Sequence, residues 1–225
     1  MIFVFAMIAL AYTCRMLDMY DIGSGYPGDV RAALYIVLLA LWGYSIDRRI
    51  IQKPVLHCLR LTDALMLLWL ILRTLKYEVV TDLTVARYLW YLYYLPMLFI
   101  PLLGVYIAMS LGKSEEYRLS GKTQLLTIIP ALLFLCVITN DLHQKVFTFK
   151  SGIPGNPGNG PYYHNVVYFF CLAWMVGCMI FTVVHIFKNS RVSNVGKRRV
   201  MPFVFCCVTI LYGVLYLIGI PQVRY

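Results

Sequence analysis

Residues Tyr88 to Gly112 read YLWYLYYLPMLFIPLLGVYIAMSLG, a run of 25 residues without one charged side chain. As a helix it would rise about 37 Å. The hydrocarbon core of a bilayer is about 30 Å thick, so the run is long enough to cross it. A membrane strand needs only about 9–11 residues and alternates in polarity, whereas this stretch is apolar on every side. Lipid offers the backbone no hydrogen-bond partners, so the segment must satisfy its own amides and carbonyls, as a helix does. The same reading extends outward in both directions. Spans are expected over about 1–17, 30–46, 61–76, 88–111, 123–140, 162–187 and 200–221. The expected fold class is therefore all-α: a polytopic transmembrane helix bundle with about seven spans, forming one membrane-embedded domain over 1–225.

Composition agrees. Apolar residues make up 61% of the chain and charged residues 13%, against about 25% charged in a soluble domain. The net charge of +10 is scattered in short clusters between apolar runs. Such clusters suit anionic lipid head groups; no nucleic-acid partner is expected, because no compact basic domain exists. Of the seven cysteines, six lie in or at the ends of apolar runs and none forms a Cys-x-x-Cys pair. They read as small buried thiols. No cofactor and no metal site is expected. Met1 to Cys14 lacks the basic start of a signal peptide and reads as a short first span. Pro96, Pro101 and Pro130 fall inside spans, where proline removes a donor and kinks the helix; the reading adopted is packing geometry.

Lys and Arg set the orientation. Arg48, Arg49, Lys53, Arg60, Lys113, Arg118, Lys122, Lys188, Arg191, Lys197, Arg198 and Arg199 fall on one side, twelve of the chain's 20 basic residues. The positive-inside rule then places the N-terminus in the cytoplasm and the C-terminus outside. Tyr91, Tyr94 and Tyr163 belong to the aromatic starts of the fourth and sixth spans, on the expected outer side, where amphipathic rings settle at head-group level. Asp63, Arg73, Glu78, Arg87 and His185 lie near expected span ends and read as snorkelling side chains.

The longest outer segment begins Thr139-Asn140-Asp141-Leu142-His143 and continues through a Gly/Pro/Asn-rich stretch to Pro161. Two readings of Asn140, Asp141 and His143 stand side by side. They end a helix and tie the loop to its neighbours, or they form an outer ligand-binding site with Tyr91, Tyr94 and Tyr163. A metal would need a third ligand from afar, such as His164. The basic loop with Lys188, Arg191, Lys197, Arg198 and Arg199 is a candidate cytoplasmic contact, or ordinary lipid anchoring. No Gly-rich phosphate loop, His-Glu-x-x-His or Gly-x-Ser-x-Gly is present.

The stretch Arg-Tyr-Leu-Trp-Tyr-Leu-Tyr-Tyr-Leu-Pro-Met-Leu from Arg87 to Leu98, the Pro130 span and Thr139-Asn140-Asp141-Leu142-His143, with Phe147 and Phe149 after it, carry a resemblance. Together they resemble the N-terminal seven-span sensor region of bacterial histidine kinases. The resemblance implies a signal-input domain in a bacterial plasma membrane, in which a small-molecule stimulus acts through spans or outer loops. The partners it implies are the lipid bilayer and a downstream signalling module or a second copy of the chain. Met1 to Leu17 precedes the helix that matches the family's first. With Tyr225 outside, a fused cytoplasmic kinase would need one more crossing. No phosphoacceptor or ATP-binding block is present, so kinase catalysis is not expected of this chain. The alternative is a small transporter or permease, a class marked by internal repeats and interrupted spans, of which no convincing repeat is found here.

Overall fold

The computed structural model describes residues 10, 13–14, 26–49, 52–111, 113, 117–149 and 162–189. The expected last span over 200–221, and the expected first apart from Leu10, Thr13 and Cys14, lie outside the described residues. So do Arg191, Lys197, Arg198 and Arg199.

Helix α1 covers Tyr26–Arg49. α2 covers Lys53–Thr74, with a proline in its first turn where a missing N–H costs nothing. It runs on into a π-helical turn, Leu75–Val79. α3 covers Leu83–Leu92 and α4 Tyr94–Ser110. A short α5, Gly121–Gln124, leads through a 3-10 turn, Leu125–Thr127, into α6, Ile128–Ile138. One further turn, α7, is Asn140–His143. Strands β1, Phe147–Phe149, and β2, Tyr162–His164, form an antiparallel ribbon with Phe147 opposite His164 and Phe149 opposite Tyr162. α8 covers Val166–Asn189. Four helical stretches among the described residues are long and apolar enough to cross a membrane: Lys53–Tyr77, Leu83–Ser110, Gly121–Ile138 and Val166–Lys188.

The described residues are mostly helical, and the ribbon is the departure from an all-helical fold among them. It also moves the start of the last described helix. Tyr162 to His164 fall inside the span expected over 162–187, but their backbone pairs with β1, so α8 begins at Val166. At the start of α3, a polar residue outside the apolar run sets the bound. Asp82 caps α3, its carboxylate accepting from Thr84 N at 2.8 Å and Val85 N at 2.9 Å; such a cap contributes about 1 kcal/mol.

The prolines act locally. Pro96 has no N–H for the Leu92 carbonyl, and α3 gives way to α4 there through a single turn residue, Tyr93. Pro130 likewise leaves the Leu126 carbonyl without its helical donor, and the backbone tightens to 3-10 over Leu125–Thr127.

α4 is the central helix. It packs against α2, α6 and α8 and buries residues on all sides, among them Leu98, Leu102, Val105 and Ala108. Lipid tails are as apolar as leucine, so such contacts act through packing and hydrogen bonds rather than water exclusion. Two polar ties hold α4. Trp174 Nε1 on α8 donates to Leu98 O at 3.1 Å. At its C-terminal end, Gln52 Nε2 donates to Ser110 O at 2.9 Å, a carbonyl that also accepts from Lys113 N at 3.2 Å. Cys14, Cys58, Cys136, Cys171 and Cys178 are free thiols.

Candidate functional site

The densest polar cluster lies at the ribbon end, where α3, α6, α7 and β1 meet. Asn140 is its centre and has no exposed surface. Its Oδ1 accepts from Val146 N at 2.9 Å and Phe147 N at 3.0 Å. Its Nδ2 donates to Phe147 O at 3.0 Å and to Tyr91 Oη at 3.2 Å. All four hydrogen-bonding positions of the carboxamide are used. Asn140 thus supplies the chain leaving α7 with the partners that a second strand would otherwise give.

Asp141 extends the cluster to α3. Its Oδ1 accepts from Tyr91 Oη at 2.7 Å. Its Oδ2 pairs with Arg87, at 3.1 Å from Nε and 2.8 Å from a terminal guanidinium nitrogen. Arg87 and Tyr91 stand four apart, on one face of α3. The Arg87 side chain is only 7% exposed, so the sequence expectation of a snorkelling Arg87 is corrected: the guanidinium is turned inward to a carboxylate.

His143 closes the turn. Its Nδ1 accepts from Lys145 N at 2.9 Å, which assigns the proton to Nε2, 3.1 Å from Cys136 O. Both ring nitrogens are committed to the backbone. Gln144, just beyond α7, takes a left-handed φ of 47° and donates its N–H to Asn140 O at 2.7 Å. That left-handed residue turns the chain back into β1. Asn165 secures the far strand: its N–H donates to Val146 O at 2.9 Å, and its Nδ2 donates to Gln144 O at 2.6 Å and to Thr148 Oγ1.

Aromatic rings fill the space beneath. Phe147 is fully buried among Trp90 at 4.5 Å, Tyr162 at 5.7 Å, Tyr94 at 5.8 Å and Tyr168 at 5.9 Å between ring centroids. Such pairs contribute about 0.5–1.5 kcal/mol each beyond their burial. His164 lies 3.9 Å from the Tyr168 ring, and desolvation there pushes its imidazole below the ordinary histidine value.

The structure therefore brings Asn140, Asp141, Tyr91 and Tyr94 together, with His143 beside them. Tyr163 is not among them: strand alternation turns it away from Phe147 and leaves it 55% exposed. Asp141, His143 and His164 do not converge as metal ligands, and among the described residues no three His, Cys, Asp or Glu side chains do. Lys188 is exposed at the opposite end of the molecule, near the end of α8. Sequence reasoning missed the Arg87 partnership. Its signal was a charge at one outer span end that matches an opposite charge, Asp141, at another.

Chemically, the cluster is saturated. It has no idle donor on Asn140 and no paired catalytic acid and base; its property is to link the ribbon, α7 and α3 rigidly. A cavity of about 550 Å³ lies elsewhere, lined by Leu102, Leu126, Trp174 and Phe181 with Lys122 and Thr123 at one side. It holds none of the candidate input residues.

A family model described as the N-terminal 7TM region of histidine kinase matches residues 30–225. No curated protein and no solved structure matches the chain.

Proposed function

The chain belongs to the family of N-terminal seven-transmembrane regions of histidine kinases, and from that premise we propose that its ribbon end is the input joint of a bacterial plasma-membrane sensor. In this reading the ribbon faces out of the cell, with the N-terminus in the cytoplasm and the C-terminus outside. A small-molecule stimulus reaches the exposed ribbon face at Tyr163. The joint of Asn140, Asp141, His143, Tyr91 and Tyr94 passes the displacement to α3 and α4. Lys188, with Arg191, Lys197, Arg198 and Arg199, faces a downstream signalling module or a second copy across the head-group region. A stimulus shifts such a joint only if it binds two helix arrangements with different affinity.

One observation carries the proposal. The Asp141 carboxylate accepts from both Arg87 and Tyr91, 50 or more residues away in sequence. An ion pair whose guanidinium is buried resists gradual loosening, because separating it leaves that charge uncompensated. The joint is therefore suited to two discrete states. The family membership does not favour the transporter alternative.

The test needs no ligand. Asp141→Asn, in the full chain in nanodiscs, removes the charge at the ribbon end. Hydrogen exchange is then read at 117–127, at the opposite end of the bundle. Faster exchange there supports coupling along the helices. A change confined to 139–149 would leave the cluster a local fastening and end the proposal.

A further inference from the structure

Asp63 was expected near the start of a span, where a carboxylate reaches the surface. The structure places it elsewhere. α2 begins at Lys53, so Asp63 stands ten residues after that start and eleven before Thr74. At a rise of 1.5 Å per residue it lies about 15 Å along the helix, about half the thickness of a bilayer core. The axial position is anchored independently, because Gln52, just before α2, bonds the last turn of α4 through Ser110 O at 2.9 Å.

Asp63 meets α1 at Gly43. A Cβ on Gly43 would collide with Asp63 Oδ2, so the glycine is a notch that admits the carboxyl group. Asp63 Oδ1 is buried and has no hydrogen-bond partner. Among the described residues, the charged and titratable groups of the surrounding elements lie at other positions or meet other partners. On α1, Asp47 pairs with Arg60 of α2 at 2.7 Å, and Arg48 lies over the Tyr44 ring at 4.7 Å. Asp29, Arg31 and Arg49 lie towards the two ends of α1. α4 has no charged residue, and its Tyr106 hydroxyl bonds Thr127 at 2.8 Å. On α3, Arg87 belongs to Asp141. On α2 itself His57 is exposed and Arg73 lies over Tyr77, and Lys76 in the π turn also lies over the Tyr77 ring. Among the described residues no ion pair involves Asp63.

An ionised carboxylate at such a depth is strongly disfavoured unless paired, and intramembrane acids of this kind mark ion or proton sites. A protonated carboxyl group has no net charge, which removes the largest cost of burial, and Gly43 leaves it room. We infer that Asp63 is a proton-binding site in the α1–α2 interface, occupied in the packed arrangement through the Gly43 notch and emptied when the two helices part. The step is a simple exchange: the carboxyl O–H breaks, the electron pair stays on Asp63, and the proton leaves to water. The inference is independent of the ribbon end and of what the ribbon receives.

Infrared spectroscopy of the full chain in liposomes tests it. At neutral pH the wild type is expected to show the carbonyl band of a protonated carboxylic acid that is lost in Asp63→Asn. Asp141→Asn is expected to keep the band, and alkalinisation to abolish it reversibly. Gly43→Ala fills the notch and is expected to shift the band. If Asp63→Asn fails to fold, wild type labelled with carbon-13 aspartate gives the same reading through the isotope shift. Absence of the band at neutral pH, its persistence unchanged through the titration, or an unaltered band in Gly43→Ala would each overturn the inference.

Discussion

Replacing Asn140 with alanine is expected to release the ribbon from α7. The carboxamide is fully buried and accepts from Val146 N and Phe147 N at 2.9 and 3.0 Å while donating to Phe147 O at 3.0 Å. Alanine strands two amides and one carbonyl, and the side chains of Val146 and Phe147 are themselves fully buried. Each buried backbone group left without a partner costs about 1–3 kcal/mol. Water entering the vacated space holds the sum near its lower bound, and Tyr91 retains Asp141 at 2.7 Å and adds little. The opening free energy of the ribbon should therefore fall by about 3 kcal/mol. At about 1.4 kcal/mol per factor of ten, that is a hundredfold or more in the open population. Hydrogen exchange over 145–149 in the full chain, in detergent or nanodiscs, measures this population directly. Overall helix content by circular dichroism should hardly change, because the backbone bonds lost lie within 140–147 and the ties of α4 at Leu98 and Ser110 are kept. Exchange in Asn140→Ala within about threefold of wild type would refute the reasoning, since it would mean that the four bonds carry almost no net stability.

Asp141→Asn leaves the Arg87 guanidinium buried without a counter-charge and is expected to cost about 3 kcal/mol in denaturant unfolding. Adding Arg87→Met should recover part of that loss, and a double-mutant cycle without coupling would speak against the pair. Burial pushes the His164 imidazole below its ordinary value, so the unfolded ribbon takes up a proton first as pH falls. Stability of the ribbon is thus full above the ordinary histidine range and is lost as pH drops through the lower folded value. Exchange over 145–149 should accelerate on acidification, and His164→Gln should flatten that dependence. A fluorescent-protein fusion after Lys188 is expected to fluoresce, as a cytoplasmic position requires, and an alkaline phosphatase fusion there to be inactive; the reverse result would invert the orientation.

Much of the scaffold was legible in the sequence because crossing lipid is a demand on length and apolarity alone. The run from Tyr88 to Gly112 could hardly be anything but helical. Helix starts were less visible. Asp82 sits outside any apolar run, yet its carboxylate fixes where α3 begins through two amides. Tyr162 to His164 misled in the opposite way: their amphipathic rings suit the head-group end of a span, but Phe147 and its neighbours offer a pairing edge, and the tertiary pairing decides the backbone. The Asn140-Asp141-Leu142-His143 cluster was recognisable as polar and compact. Its partners were not, because Arg87 and Tyr91 are brought to it by the packing of α3 on α6, which no local pattern encodes.

The polar groups inside this bundle divide by whether their demand is met. At the ribbon end every strong acceptor has a donor: Asn140 is saturated and Asp141 holds a guanidinium and a phenol. Meeting those demands requires three chain segments at fixed spacing, so the cluster works as a joint that is either closed or broken. Asp63 has no such company. A neutral hydroxyl can remain unpaired at modest cost, as those of Tyr93 and Thr182 do, but a carboxylate at mid-helix cannot. It must find a cation, reach water or keep its proton, and α4 offers no cation while Gly43 leaves the carboxyl group room on α1. The two sites are therefore held by opposite means, one by complete pairing and the other by neutralisation. A change in proton activity would act on α1 and α2 without passing through the ribbon, whereas a stimulus at the ribbon would reach α4 through α3.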